Sequence, residues 1–416
     1  MTARAEAEGR AAPPERRPEL DALRLLVVLG LVFFHSALVF AADNDFYVKN
    51  AETSQAVLIV AGFGVVWAMP LLFLISGFGA RHSLRRRGTG GFAKERLLRL
   101  GVPLVFATVV LNPLPQWLRQ RAAGVGYDES YLGFLPHFFD VRLELDEAPF
   151  VVQGEHFETG HLWFVVLLLA FSLLLVPLHR WLPRERVRRA GERVARAAGR
   201  RPGVVLLPAP VFSVFCAFAR MEEDYAGWHR WSYLLFFLAG CALAGEDRFR
   251  TAMRRAAVPA AWIGALLFVA SGPGFAVIEE PFTEMTVPAV VTRALFGAAG
   301  WCLVVAILGL VDRHRLRRLT GPPGPRGPSG PPGPVRSGEA AGRRRRVYGY
   351  LAAAVLPLYV LHQPVVVAVA YFVVGWSAPI PVKYAALVAI AFALTLAGYE
   401  LVVRRTRVTR FLFGMR

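Results

Sequence analysis

The chain has 416 residues, 55% hydrophobic, 12% aromatic and 19% charged, proportions too apolar for a soluble protein and suited to one dissolved in lipid. Its formal net charge is +18, from 48 Lys and Arg against 30 Asp and Glu. In a chain of repeated apolar runs that excess is first a matter of membrane topology, so a nucleic-acid partner is not expected. The three cysteines, Cys216, Cys241 and Cys302, lie inside apolar runs without CxxC or Cys/His spacing, which excludes a disulfide framework and a zinc site as expectations.

The first 22 residues are polar and rich in Arg, Glu, Ala and Pro, and the run that follows lacks an AxA-type cleavage site. They read as a cytoplasmic tail ahead of a retained first helix. Ten apolar runs follow, at 23–42, 57–79, 97–117, 161–178, 203–219, 228–245, 257–275, 288–311, 347–374 and 378–403. Each approaches the length an α-helix needs to cross about 30 Å of hydrocarbon. The expected fold is therefore all-α and polytopic, a ten-helix membrane domain over 23–403 with a basic tail at 404–416. An even number of crossings puts both termini on one side. If that side is the cytoplasm, inner segments hold 40 of the 48 bases and the outside holds 17 acids against 8 bases. The positive-inside bias fixes this orientation, with both termini cytoplasmic. Arg-heavy usage, with Lys only at 49, 94 and 383, points to a GC-rich bacterial source and hence to a bacterial inner membrane.

Ionisable residues inside apolar runs are expensive and so carry functional hypotheses. In the first run, Arg24 stands at the inner edge and His35 eleven residues later, which returns to within about 20° of the same helix direction and lies about 16 Å deeper. Asp21, three residues before Arg24, is placed to pair with it. The bland alternative makes Arg24 a topological base and His35 a polar contact between helices. Further along, Ser76, Gly77 and Phe78 put a glycine where a helix leaves the membrane, allowing close backbone approach. Arg96 and Arg99, at i and i+3, are expected to share a helix face and match phosphate oxygens, although arginines in such a loop are commonly topological.

The long outer connection 118–160 interleaves acids with aromatics, among them Tyr127, Tyr131, Phe134, Phe138 and Phe139. It reads equally as a sugar-binding surface and as a solvated cap. At its end stand Glu155, His156, Glu158, His161 and Trp163. No HExxH occurs, and a polar site facing outward is expected rather than a metal. The inner connection 312–346 contains five Gly-X-Y triplets at 321–335, a collagen-like composition read as a polyproline-II spacer. The run Arg343 to Arg346 after it reads as an anchor beside anionic lipid. His362, between Pro357 and Pro364, falls where the helical ladder is loosened; its alternatives are a polar cavity shared with His35 and a packing histidine.

Five stretches, 17–41, 70–87, 92–103, 161–178 and 356–367, together resemble the membrane-bound acyltransferase 3 family, in a branch similar to periplasmic-glucan succinyltransferases. The resemblance implies transfer of an acyl group, acetyl or succinyl, from a cytoplasmic acyl-CoA to a hydroxyl of an extracytoplasmic carbohydrate or related acceptor. It maps the family's first-helix Arg and His onto Arg24 and His35, its Arg-x-x-Arg onto Arg96 and Arg99, and its SGF onto Ser76–Phe78. His161, Trp163 and His362 match further family positions, taken with Glu158 as the acceptor side. The segment 321–335 departs from the pattern. On this reading His35 is the general base, since an imidazole accepts and returns protons near neutrality, and a polar passage joins it to the cationic mouth. The competing expectation is a transporter or flippase for a polar envelope metabolite, which ordinarily shows matching repeats that the two halves here lack.

Overall fold

The computed structural model describes residues 17–42, 45–124, 126–320 and 336–415; the collagen-like segment 321–335 lies outside these, as do the side chains of Arg343–Arg346. The elements are α1 (Pro18–Leu38), α2 (Gln55–Val65), α3 (Ala68–Arg96), α4 (Val102–Val110), α5 (Pro113–Ala123), α6 (Tyr131–Phe138), α7 (Trp163–Trp181) and α8 (Arg184–Arg200). They continue with α9 (Ala209–Phe218), α10 (Arg230–Leu243), α11 (Asp247–Val277), α12 (Val287–Thr320), α13 (Arg336–Val373), α14 (Ile380–Gly398) and α15 (Arg407–Leu412). A two-stranded antiparallel hairpin, β1 (Arg142–Leu143) and β2 (Val152–Gln153), decorates the outer connection. The all-α, polytopic expectation holds.

By length and apolarity, seven helical stretches among the described residues can cross a membrane, and one of them, Gln55–Ala123, strings several helices together. The ten runs of the sequence map onto this unevenly. Run 203–219 becomes a 3-10 turn plus α9, split around Pro208, and run 228–245 becomes α10, only 14 residues long. Pro202 and Pro208 interrupt the backbone ladder that a mean over an apolar window ignores. The first helix also begins earlier than the apolar run, at Pro18, where proline's missing N–H costs nothing and Glu19 and Asp21 complement the helix dipole. It ends at Leu38, and 39–54 turns back, burying Val39, Phe40, Ala41, Phe46 and Val48.

Helices approach closely where glycine permits. A Cβ on Gly77 would sit 2.0 Å from the Phe237 carbonyl oxygen, and one on Gly240 would sit 2.0 Å from that of Leu74, so α3 and α10 interlock backbone to backbone. Between them and α7 lies an aromatic core of Phe73, Phe164, Phe171 and Tyr233. On the opposite side α11 turns Trp262, Leu266 and Val269 outward, an apolar face suited to lipid. α1 packs on α13 and α14 and against α3, which sets its polar residues between these helices.

Candidate active site

Three imidazoles from distant parts of the chain meet at the outer end of α1. His35 lies in the last turn of α1, His161 in the 3-10 turn that opens α7, and His362 in α13 between its two prolines. The ring centre of His362 is 5.1 Å from that of His35 and 5.1 Å from that of His161. His35 and His362, expected at similar depth, stand side by side, and His161 joins them.

The proline break explains the arrangement. Pro364 has no N–H, so the Val360 carbonyl four residues earlier loses its helical donor. His161 Nε2 donates to that carbonyl at 3.1 Å, and the Tyr359 hydroxyl donates to the His161 carbonyl. His362 Nδ1 donates to the Tyr359 carbonyl. Because a carbonyl only accepts, these contacts put a proton on His161 Nε2 and on His362 Nδ1. His35 Nδ1 and His362 Nε2 are buried and have no hydrogen-bond partner among the described residues. Among those residues no group of three or more His, Cys, Asp or Glu is arranged to hold a metal ion.

A polar cavity of about 440 Å³ is lined by Asp45, Arg119, Gln120, Glu155, His156 and Glu158 among others; His35, His161 and His362 do not line it. The Tyr47 hydroxyl donates to the Glu158 carboxylate and accepts from the Gln363 amide, while Phe46 stacks on His35 with ring centres 5.9 Å apart. Asn112 Nδ2 holds the chain at Thr159 O, 2.8 Å away. Burial pushes the Glu158 carboxyl above its usual range, against the pull of Tyr47, Arg119 and Gln116. Burial also holds the Tyr47 phenol well above its ordinary value, and the Glu158 charge adds to this. Most aromatics of the outer connection are not a platform: Phe134 and Phe138 are fully buried and Tyr131 packs edge-on against Trp117, so they form the loop's own core. Trp163 belongs to the neighbouring aromatic core, with ring centres 5.3 Å from Tyr233 and 5.7 Å from Tyr225.

At the inner end, Arg24 donates to Asp21 at 2.8 Å, as its spacing predicts, and to the Ile75 carbonyl at 2.9 Å. Arg24, Arg96 and Arg99 are near enough to repel one another. A π-helical turn, Leu97–Gly101, follows Arg96 and takes in Arg99. Its wider turn leaves the Arg96 side chain 13% exposed, over the Phe92 ring, and that of Arg99 50% exposed. Glu95, itself buried, lies between them, 3.5 Å from Arg96 and 3.7 Å from Arg99. The two glycines of the SGFG segment differ in use: Gly77 is spent on packing against α10, whereas Gly79 is the one beside Arg24. Ser76 is half-buried and Phe78 is buried with Arg17 over its ring. Between Arg24 and His35 the same stripe of α1 carries Val28 and Leu31, both buried, so the polar passage expected from the sequence is interrupted along α1 by aliphatic packing.

Sequence reasoning missed Glu95, Tyr47 and Gln363. Glu95 had a signal, as the lone acid among seven bases in 80–99. A loop tyrosine and an amide beside a noted histidine carry none, because only the fold brings them to Glu158.

An all-helical membrane protein with an imidazole cluster toward one face and clustered guanidinium groups toward the other is the class that fold and site define. The chain belongs to the acyltransferase 3 family, whose acyltransferase domain matches residues 17–400. Among curated proteins it is similar to Glucans biosynthesis protein C of Escherichia coli strain K12, 26% identical over 165 residues, 39% of each chain. It is also similar to the protein of that name from Salmonella gallinarum, 22% identical over 180 residues, 42% of each chain. The match thus spans about two fifths of the length of these relatives. No solved structure matches the chain.

Proposed function

We propose that the protein moves an acetyl or succinyl group from a cytoplasmic acyl-CoA to a hydroxyl of an extracytoplasmic carbohydrate or related acceptor. The observation that carries this reading is the position of His35: in an imidazole cluster joined through Phe46 and Tyr47 to Glu158 at the cavity wall, and on the same helix as Arg24 of the cationic cluster. Arg24, Arg96 and Arg99 would hold donor phosphates near Ser76, Gly77 and Phe78, with Glu95 keeping their mutual repulsion in check. The pantetheine arm would follow the Val28–Leu31 stripe, which requires α1 to part from its neighbours there. Glu158, at the cavity wall, would meet the acceptor; His161 and His362 would hold the imidazole cluster behind it, and Trp163 would brace the start of α7 from the neighbouring aromatic core. Three carboxylates, two amides and a guanidinium around a polar cavity suit a polyhydroxyl ligand without negative charge; the relatives' printed name, which speaks of glucans, agrees with that class.

In the transfer step His35 takes the proton of the acceptor hydroxyl as its oxygen attacks the thioester carbon. The carbon–sulfur bond then breaks and the imidazolium returns the proton to the departing thiolate. Neutral imidazole suits both tasks near neutral pH. The charge asymmetry of the loops supports cytoplasmic termini in a bacterial inner membrane, so donor and acceptor meet from opposite sides. The test is to incubate inside-out vesicles, whose outer surface is the cytoplasmic face, with labelled acyl-CoA and ask which envelope component becomes labelled. Label on a carbohydrate fraction supports the reading; acyl-CoA left intact while an envelope metabolite crosses the bilayer would replace it with transport.

A further inference from the structure

We propose that His362 is a positioning residue that fixes the tautomer of His35, and that α13 fixes the tautomer of His362 in turn. The proposal rests on the reading of His35 as the base. His362 is fully buried, and its Nδ1 proton is committed to the Tyr359 carbonyl. Its Nε2 therefore carries a lone pair and can only accept. That atom has no partner among the described residues, and neither has His35 Nδ1, on a ring whose centre is 5.1 Å away with planes inclined at 45°. A ring nitrogen lies about 1 Å from its ring centre, so at this separation a turn of the His35 ring that points Nδ1 at His362 Nε2 brings the two within hydrogen-bond reach. Buried polar atoms without partners are costly, and one bond satisfies both.

The proton for that bond comes from His35. His161, the other neighbouring imidazole, holds its proton on Nε2 and donates it to Val360, so its Nδ1 has none to give. With its proton on Nδ1, His35 donates to His362 Nε2, and its own Nε2 becomes the lone pair that faces the acceptor. During transfer the hydroxyl proton passes to His35 Nε2 and then to the thiolate. His35 Nδ1 keeps its proton throughout, and His362 stays neutral. A neutral partner orients the base without adding a charge to a site inside the membrane, where an unpaired carboxylate would be expensive.

The test uses the full chain, 15N-labelled at its nine histidines, in lipid nanodiscs. The expected nitrogen spectrum shows a His35 signal, assigned by its loss in His35→Ala, with the proton on Nδ1. In His362→Leu that signal moves to a mixture of tautomers; in His362→Gln, whose amide oxygen accepts, it is retained. In the transfer assay kcat falls about a hundredfold in His362→Leu with KM for acyl-CoA unchanged, and returns to within about tenfold of wild type in His362→Gln. A wild-type His35 protonated on Nε2, or an unaltered tautomer and kcat in His362→Leu, overturns the proposal. The two readings separate cleanly: if His35→Ala still transfers while the tautomer pattern is as stated, the base assignment fails and the pairing stands.

Discussion

His35 and Glu158 are both buried ionisable groups, and they make opposite demands on an experiment. Replacing His35 by Ala removes the proposed base, so acyl transfer is expected to fall by about 10²–10⁴-fold. Acyl-CoA should still raise the melting temperature, because the arginines that would bind it lie at the other end of α1. Near wild-type transfer by a folded His35→Ala protein would remove His35 from the chemistry. Glu158 is read through stability. Burial raises its carboxyl in the folded state, so the folded protein binds that proton more tightly than the unfolded chain does. The corresponding stabilisation is fully present in acid, below the ordinary carboxyl value, and is lost as pH rises through the raised one. Glu158→Gln keeps an acceptor for Tyr47 and removes the charge. Its melting temperature should exceed that of wild type at neutral pH, with the gap closing in acid; a gap that widens in acid contradicts the argument. His35, His362 and Arg24 were legible in the sequence because ionisable residues are rare in apolar runs. Tyr47 and Gln363 were not, since a polar loop residue and a neutral amide stand out only once Glu158 is beside them.

Pro364 interrupts α13 where the imidazoles gather, and the interruption is useful only if it holds His161 in place. Pro364→Ala restores an N–H that competes with His161 for the Val360 carbonyl. The variant should melt no lower than wild type, since a helix gains by losing an interior proline, yet transfer slower by about tenfold as His161 loses its anchor. Equal activity would show that the break does not position the cluster. Gly77 and Gly240 make the reverse case. An added methyl at either meets a backbone oxygen at 2.0 Å, so Gly77→Ala and Gly240→Ala should each destabilise by roughly 1–3 kcal/mol, read as a lower melting temperature in detergent. Unchanged melting in both would mean that α3 and α10 can move apart freely. Apolar runs located most helices because hydrocarbon demands length. They placed α9 and α10 to within a few residues, but could not foresee that the first opens as a 3-10 turn between Pro202 and Pro208, nor the π turn that follows Arg96.

The molecule segregates its charge, with 40 of the 48 bases on segments assigned to one side. That assignment is open to direct labelling. Native thiols interfere little, since Cys216 and Cys302 are buried and Cys241 is partly so. Leu132, 75% exposed in the connection 118–160, and Val187, on the arginine-rich α8, are assigned to opposite faces by the charge pattern. Leu132→Cys should react with a membrane-impermeant thiol reagent in intact spheroplasts, and Val187→Cys only after lysis; the reverse pattern would invert the protein. The segment 39–54 also gives the outer face a hold on the interior. Phe46 and Tyr47 are consecutive, one laid on the His35 ring and the other tied to Glu158 at the cavity wall. A guest that took the Glu158 oxygen now held by Tyr47 would displace that hydroxyl, and the peptide bond between the two residues would carry the displacement to the ring beside it. An empty berth and an occupied one would then differ in how firmly His35 is clamped, so water would find the proposed base least ready to react when no acceptor is there.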